Sequence, residues 1–132
     1  MLSDRLAEAF SEFAHRLVTA LWLGIPFDPL SKLQNLKPIG IRPAAGYPIW
    51  PDHSEKDTLW KLLSVKQLAG IELTETFMMI PASSVCGLYI IHPAAHYFNI
   101  NAIGQDQLTE YCTRSGKKKE AVVRFIQPFM IS

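Results

Sequence analysis

The chain has 132 residues, enough for one folded domain and too few for two of ordinary size. Hydrophobic residues make up 48% and charged residues 19%, a balance that excludes intrinsic disorder. A formal net charge of +1 excludes electrostatic recruitment to nucleic acid or an anionic membrane, and no apolar run approaches the roughly 20 residues of a membrane span.

The first segment carries Leu2, Leu6, Ala9, Phe10, Phe13, Leu17 and Leu21 at steps of three and four. That spacing predicts a helix with one apolar face, capped at Ser3 and stopped by Gly24 and Pro26. From Ile25 to about Pro51, prolines and glycines recur too often for regular helix, so an ordered extended loop is predicted. Ser54-Glu55-Lys56-Asp57 is a Ser-x-x-acid box opening a second helix, closed by Gly70. Three β-rich runs follow, 74–80, 84–92 and 96–100, separated by short proline-containing breaks that favour antiparallel neighbours. Gln105 to Arg114, ended by Gly116, and Lys118 to Ile126, stopped before Pro128, read as helices. The predicted fold class is α+β, an antiparallel β-meander with flanking helices, over a single domain spanning 1–132.

Cys86 and Cys112 form no CxxC pair and no histidines stand at ligand spacing, so free thiols are expected and a metal site is not. Free thiols suit a reducing compartment, and the charged N-terminus runs straight into the helical pattern rather than into a leader segment. Both features predict a cytoplasmic protein. Lys117-Lys118-Lys119, beside Glu120, reads as a solvated helix start.

No nucleophile elbow, phosphate loop or GxGxxG is present, and no residue is predicted to be catalytic. The unusual stretch is Gly40-Ile41-Arg42-Pro43-Ala44-Ala45-Gly46-Tyr47-Pro48. A guanidinium on proline-stiffened backbone is a preorganised fork for a carboxylate. Gly46 can take positive φ, Ala44 and Ala45 let a ligand approach the backbone, and Tyr47 offers a flat face and a hydroxyl. These features suit a small zwitterion or a nucleoside. They also fit a rigid loop whose Arg42 makes an ordinary surface ion pair.

Several blocks in one order carry a resemblance across nearly the whole chain. They are Asp4-Arg5-Leu6-Ala7-Glu8-Ala9-Phe10, the Gly40 to Pro48 loop, Pro51-Asp52-His53-Ser54-Glu55-Lys56 and Leu73-Thr74-Glu75-Thr76-Phe77. To these are added Ser83-Ser84-Val85-Cys86-Gly87-Leu88-Tyr89, Tyr97-Phe98 and Asp106-Gln107-Leu108-Thr109-Glu110-Tyr111. Together they resemble the C-terminal part of the S-adenosylmethionine-binding activation domain of vitamin B12-dependent methionine synthase. The chain departs from the family pattern at Ala45, where proline is usual, and at Phe98, where a second tyrosine is common.

The resemblance implies that S-adenosylmethionine binds on a curved antiparallel sheet, with Arg42 on its carboxylate and Ala44, Ala45, Gly46 and Tyr47 lining the site. It implies a contact from Tyr97 and a negative charge from Glu8 near the sulfonium. Asp4, Tyr47 and His53 match positions that face a partner carrying cobalamin. The implied role is support of the reductive methylation of cob(II)alamin to methylcobalamin, with the electron supplied by a flavodoxin-like reductase. Apart from the resemblance, Glu8 reads as a solvated helix residue, Tyr97 as a sheet residue and His53 as a loop histidine satisfied by backbone.

The N-terminal part of that domain, the cobalamin-binding DxHxxG sequence, the homocysteine zinc site and the folate barrel have no counterpart in this sequence. The chain alone is therefore not expected to methylate homocysteine. Met1 directly before a helix start favours a separate short reading frame. The alternative function is a fold remnant or interaction module without useful ligand affinity, and homo-oligomers are expected if an apolar edge is left uncovered.

Overall fold

A computed structural model describes residues 2–27 and 39–131. Helix α1 (Leu2–Leu23) ends where Gly24 takes φ +65°, the left-handed residue that stops a helix most cheaply. Ser3, the expected cap, lies inside the helix, which begins one residue earlier. The middle of the predicted proline-rich loop, 28–38, lies outside the described residues.

The predicted second helix is two. Helix α2 (Glu55–Leu62) breaks at Ser64, which sits at φ +48°, and α3 (Val65–Ala69) ends at a left-handed Gly70. Ser54 is the residue before α2, but its hydroxyl caps no N–H; it accepts a hydrogen bond from Lys117 Nζ at 2.8 Å. The Trp60 indole N–H donates to the Ile71 carbonyl at 2.8 Å and ties α2 to the chain leaving α3.

Strand β1 (Glu72–Leu73) pairs antiparallel with β2 (Met79–Ile80), in the register Glu72 with Ile80 and Leu73 with Met79. The first predicted run therefore folds into a hairpin: its start, Thr74 to Phe77, is the turn, and its end is β2. The runs 84–92 and 96–100 form no ladder with each other among the described residues. Instead the loop reaches across, and Ile41 pairs with Ile90 as an antiparallel bridge. The α+β architecture stands, with part of its pairing supplied by the proline-rich loop.

Helices α4 (Gln105–Ser115) and α5 (Lys119–Ile126) close the chain, joined through a left-handed Gly116 and followed by a 3₁₀ turn, Gln127–Phe129. Leu108, Val122 and Ile126 form the buried cluster between them, with Ile103, Tyr111, Phe125 and Met130 packed around it. Fully burying such side chains stabilises by about 1.5–3 kcal/mol each. Ile103 also bridges the tail: its N–H donates to the Phe129 carbonyl and its carbonyl accepts from the Ile131 N–H, at 2.7 and 3.1 Å. No helix among the described residues is long and apolar enough to cross a membrane.

Candidate functional site

The Gly40 to Pro48 stretch is extended first and tightly turned second. Ile41 and Ile90 exchange backbone hydrogen bonds at 3.1 and 3.0 Å, and the Leu88 N–H donates to the Pro43 carbonyl at 2.9 Å. Past Pro43 the chain doubles back, with the Gly46 N–H donating to the Trp50 carbonyl and the Trp50 N–H to the Tyr47 carbonyl, both at 2.8 Å. Two glycines make this path possible. A Cβ at Gly40, φ +92°, would lie 1.9 Å from the Ile90 carbonyl oxygen. A Cβ at Gly46, φ +101°, would lie 2.2 Å from His53 Cε1. Both positions combine left-handed backbone with a contact that no side chain tolerates.

Side chains alternate across this extended backbone, as a period of two demands. Ile41, Pro43, Leu88, Ile90, His96 and Phe98 face one way and line an open, mostly apolar groove of about 410 Å³. Arg42, Tyr89 and Tyr97 do not line it. They belong to the other face, where Tyr89 stacks on His15 of α1 with ring centroids 4.9 Å apart and donates its hydroxyl to the Ser11 carbonyl at 3.2 Å. His15 is 2% exposed, and burial, then the Arg42 charge, holds its pKa below the usual histidine value.

The structure brings Arg42 and Tyr97 together: the Arg42 backbone N–H donates to the Tyr97 hydroxyl at 2.9 Å. No carboxylate among the described residues pairs with the Arg42 guanidinium. The ordinary surface ion pair is therefore not what this arginine makes within the described chain. Ala44 is half-buried and Ala45 buried, whereas Gly46, Tyr47 and Tyr97 are exposed. Glu8 lies on an exposed side of α1, and its carboxylate pairs with no described residue. Asp4 Oδ1 lies 2.9 Å from the Ser83 hydroxyl, which fixes the start of α1 against the segment after β2.

His53 stands behind the loop rather than in it. Its ring packs on Gly46 and lies edge-on to Phe125, with centroids 5.8 Å apart. Its Nδ1 is 3.0 Å from Lys56 Nζ, so the partner of this histidine is a side chain and not backbone. Burial, then the Lys56 charge, lowers the His53 pKa, against a smaller opposing effect of Asp52. Lys56 is itself buried, 4% exposed, and donates also to the Phe77 carbonyl at 3.0 Å. Its pKa is lowered by burial.

A second polar group that motif reasoning missed anchors the same turn. The Tyr111 hydroxyl donates towards Asp52 Oδ2 at 2.7 Å and Glu55 Oε1 at 2.6 Å. Lys117 Nζ reaches Glu55 Oε1 at 2.5 Å and Asp52 Oδ2 at 3.4 Å, and Asp52 Oδ1 accepts from the Ser54 N–H at 2.8 Å. Burial, followed by the two carboxylate hydrogen bonds, pushes the Tyr111 phenol well above its ordinary pKa. Lys117 belongs to the basic run expected to be solvated; it is instead the cation that bridges these two carboxylates. Tyr111 stands in the last matching block, but nothing local marks it as the tie between α4 and the turn at 52–55.

Among the described residues no cluster of histidine, cysteine or carboxylate side chains is arranged to hold a metal ion. Cys86 and Cys112 are free and half-buried, and burial raises the Cys86 thiol pKa.

Residues 1–116 match the family described as the vitamin B12-dependent methionine synthase activation domain. A crystal structure of the MetH reactivation domain bound to AdoHcy matches with a TM-score of 0.84 at 42% sequence identity. That match covers 98% of this chain and 41% of the solved one, so this chain spans well under half the length of its solved relative. The family match over residues 1–116 and the structural likeness over 98% of the chain agree, and the chain belongs to the activation-domain family of the vitamin B12-dependent methionine synthases.

Proposed function

We propose that this chain is the C-terminal portion of an activation domain and supplies an S-adenosylmethionine-binding surface that supports reductive methylation of cob(II)alamin to methylcobalamin. The observation that carries the reading is the Arg42–Tyr97 hydrogen bond. It locks the backbone of a guanidinium that has no carboxylate partner among the described residues to an exposed aromatic ring. A fork on a fixed backbone, unpaired among the described residues, suits the methionyl carboxylate. The AdoHcy bound to the solved relative shares that carboxylate and the adenosyl group. Ala44 to Tyr47 line the approach, with Tyr97 contacting the ligand from the neighbouring segment and Glu8 placing negative charge near the sulfonium.

Cobalamin is held by a partner domain or protein; Asp4 and His53 match positions that face it, His53 from behind the Gly46 loop, and when bound there cobalamin would supply the cobalt that takes up the electron and the methyl group. A flavodoxin-like reductase delivers the electron. What this chain does in that step is bind, orient and shield the methyl donor. No membrane or nucleic acid takes part, and the site belongs to the cytoplasm.

Calorimetric titration with S-adenosylmethionine, beside Arg42→Ala, tests the reading. Loss of a charge-assisted contact costs about 1.5–3 kcal/mol, roughly ten- to a hundredfold in affinity. Saturable heat that Arg42→Ala weakens by that factor supports the site. No heat from the folded wild-type chain at millimolar ligand overturns it and leaves a scaffold without ligand affinity.

A further inference from the structure

Lys56 combines features that solvation and ion pairing do not explain. Its side chain is buried, and no described carboxylate lies within ion-pair distance of its ammonium. Its hydrogen-bond partners among the described residues are the Phe77 carbonyl and His53 Nδ1, each at 3.0 Å. Phe77 presents that carbonyl from a turn with φ +59°, held by the Phe77 N–H to Thr74 carbonyl bond at 2.9 Å and the Met78 N–H to Thr74 Oγ1 bond at 3.0 Å. A buried cation so held, one turn along from a histidine, is placed to act on that histidine.

An ammonium has three donors and no acceptor. A histidine nitrogen 3.0 Å from it must therefore offer its lone pair, which leaves the ring proton on the other nitrogen. In His53 that other nitrogen, Nε2, lies on the Gly46 edge of the ring, where a Cβ on Gly46 would come within 2.3 Å of it. Phe125 packs across the ring, so the imidazole is confined on three sides.

We infer that Lys56 is a positioning residue that fixes His53 as a neutral imidazole with Nδ1 accepting and the ring proton on Nε2, at the Gly46 edge of the loop. Lys56 does not touch the ligand; it acts through His53 on the loop proposed to bind S-adenosylmethionine, and to that extent rests on that reading. The charged and titratable groups around the pair are Asp52 beside His53 and Cys86 beside Lys56. Asp52 favours the protonated ring, and Lys56 opposes it.

The test is ¹⁵N–¹H correlation of the His53 ring through a pH titration of the wild-type chain, Lys56→Met and Lys56→Gln, with the fold of each checked by circular dichroism. In the wild type the neutral ring should carry its proton on Nε2 and titrate below an ordinary histidine. Lys56→Met removes both charge and donor. Its midpoint should rise by about half a pH unit or more, and its single tautomer should become a mixture. Lys56→Gln keeps a donor without the charge, so the tautomer should survive while the midpoint still rises. A wild-type ring protonated on Nδ1, or a midpoint and tautomer unmoved in Lys56→Met, overturns the inference. The spectra need no ligand, so absence of S-adenosylmethionine binding with this pattern intact sinks the binding site and leaves the Lys56 role standing.

Discussion

The backbone N–H of Arg42 donates to the phenolic oxygen of Tyr97 at 2.9 Å, across 55 residues of sequence. Neither side chain lines the apolar groove. Tyr97→Phe keeps the ring and removes only the acceptor. The freed N–H is exposed and can turn to water, so the cost falls in the range of about 0.5–1.5 kcal/mol. S-adenosylmethionine affinity should fall by roughly two- to tenfold in calorimetry, less than for Arg42→Ala. A larger loss than Arg42→Ala would show that Tyr97, not the guanidinium, dominates binding.

The turn at 52–55 is held to the helical end of the chain by Tyr111 and Lys117. Tyr111→Phe removes the one hydroxyl that bridges Asp52 and Glu55 and leaves the buried Asp52 and half-buried Glu55 with Lys117 as their shared side-chain partner, Asp52 keeping the Ser54 N–H. The expected cost is about 1–3 kcal/mol, read as a lower urea midpoint with an unchanged slope. Because the turn carries His53, the same variant should broaden the His53 ring signals. An unchanged midpoint would mean that Lys117 alone suffices.

Helices α1, α4 and α5 were legible because period and punctuation agree: apolar steps of three and four end at Gly24, Gly116 and Pro128. The break at Ser64 was not, since a left-handed serine leaves no sign in an apolar repeat. The strands were half legible. Composition marks 84–92 as extended, but its partner is the Ile41 stretch, and proline density disguises that as loop. The resemblance named Arg42 and Tyr97, and only the fold puts one on the other's backbone. Lys56, Asp52 and Lys117 stayed hidden because their roles come from burial and distant partners, and as letters they are ordinary surface charges.

His15 is nearly fully buried, stacked on Tyr89, with its pKa lowered by burial and then by Arg42. The folded protein resists protonating it, whereas the unfolded chain takes up the proton near pH 6.5. The unfolded state therefore binds more protons between that value and the lower folded pKa. Stability contributed by neutral His15 is complete above about pH 6.5 and is lost as pH falls through that window. His53, also lowered, adds in the same direction. Thermal midpoints should drop as pH falls from 7 towards 5, and His15→Phe, which keeps an aromatic face for Tyr89, should show a shallower drop. Parallel slopes would place the acid sensitivity elsewhere.

Much of the apolar stripe of α1 is exposed: Leu2, Leu6, Phe10 and Leu21 face outward with the neighbouring Trp22, whereas Phe13 and Leu17 are half-buried and His15 and Thr19 buried. The chain spans 41% of its solved relative, and contiguous exposed apolar area of this kind favours association. Light scattering should find dimers or larger species in the micromolar range, and Leu6→Glu with Phe10→Glu should shift them towards monomer. A clean wild-type monomer across that range would show that this stripe tolerates water.

Gly46 is where backbone conformation and the His53 contact meet. At φ +101° any Cβ is strained, at about 1–3 kcal/mol, and here it would also press on the imidazole at Cε1 and Nε2. Gly46→Ala cannot relax by a rotamer change of its own, because the added atom is fixed to the backbone. Either the loop lifts or the ring leaves Lys56 and Phe125. The Lys56 contact is one half of what confines the ring, and the loop is fixed by the Gly46 to Trp50 hydrogen bond at 2.8 Å, so both responses cost an interaction. Chemical shifts separate them. Loss of the single His53 tautomer with Trp50 unmoved means the ring yields; a moved Trp50 amide with the tautomer kept means the loop yields. In either case S-adenosylmethionine affinity should fall at least tenfold, because the loop that carries Arg42 and Tyr47 and the histidine behind it are fitted to each other. Unaltered affinity would detach the Gly46–His53 contact from the ligand site.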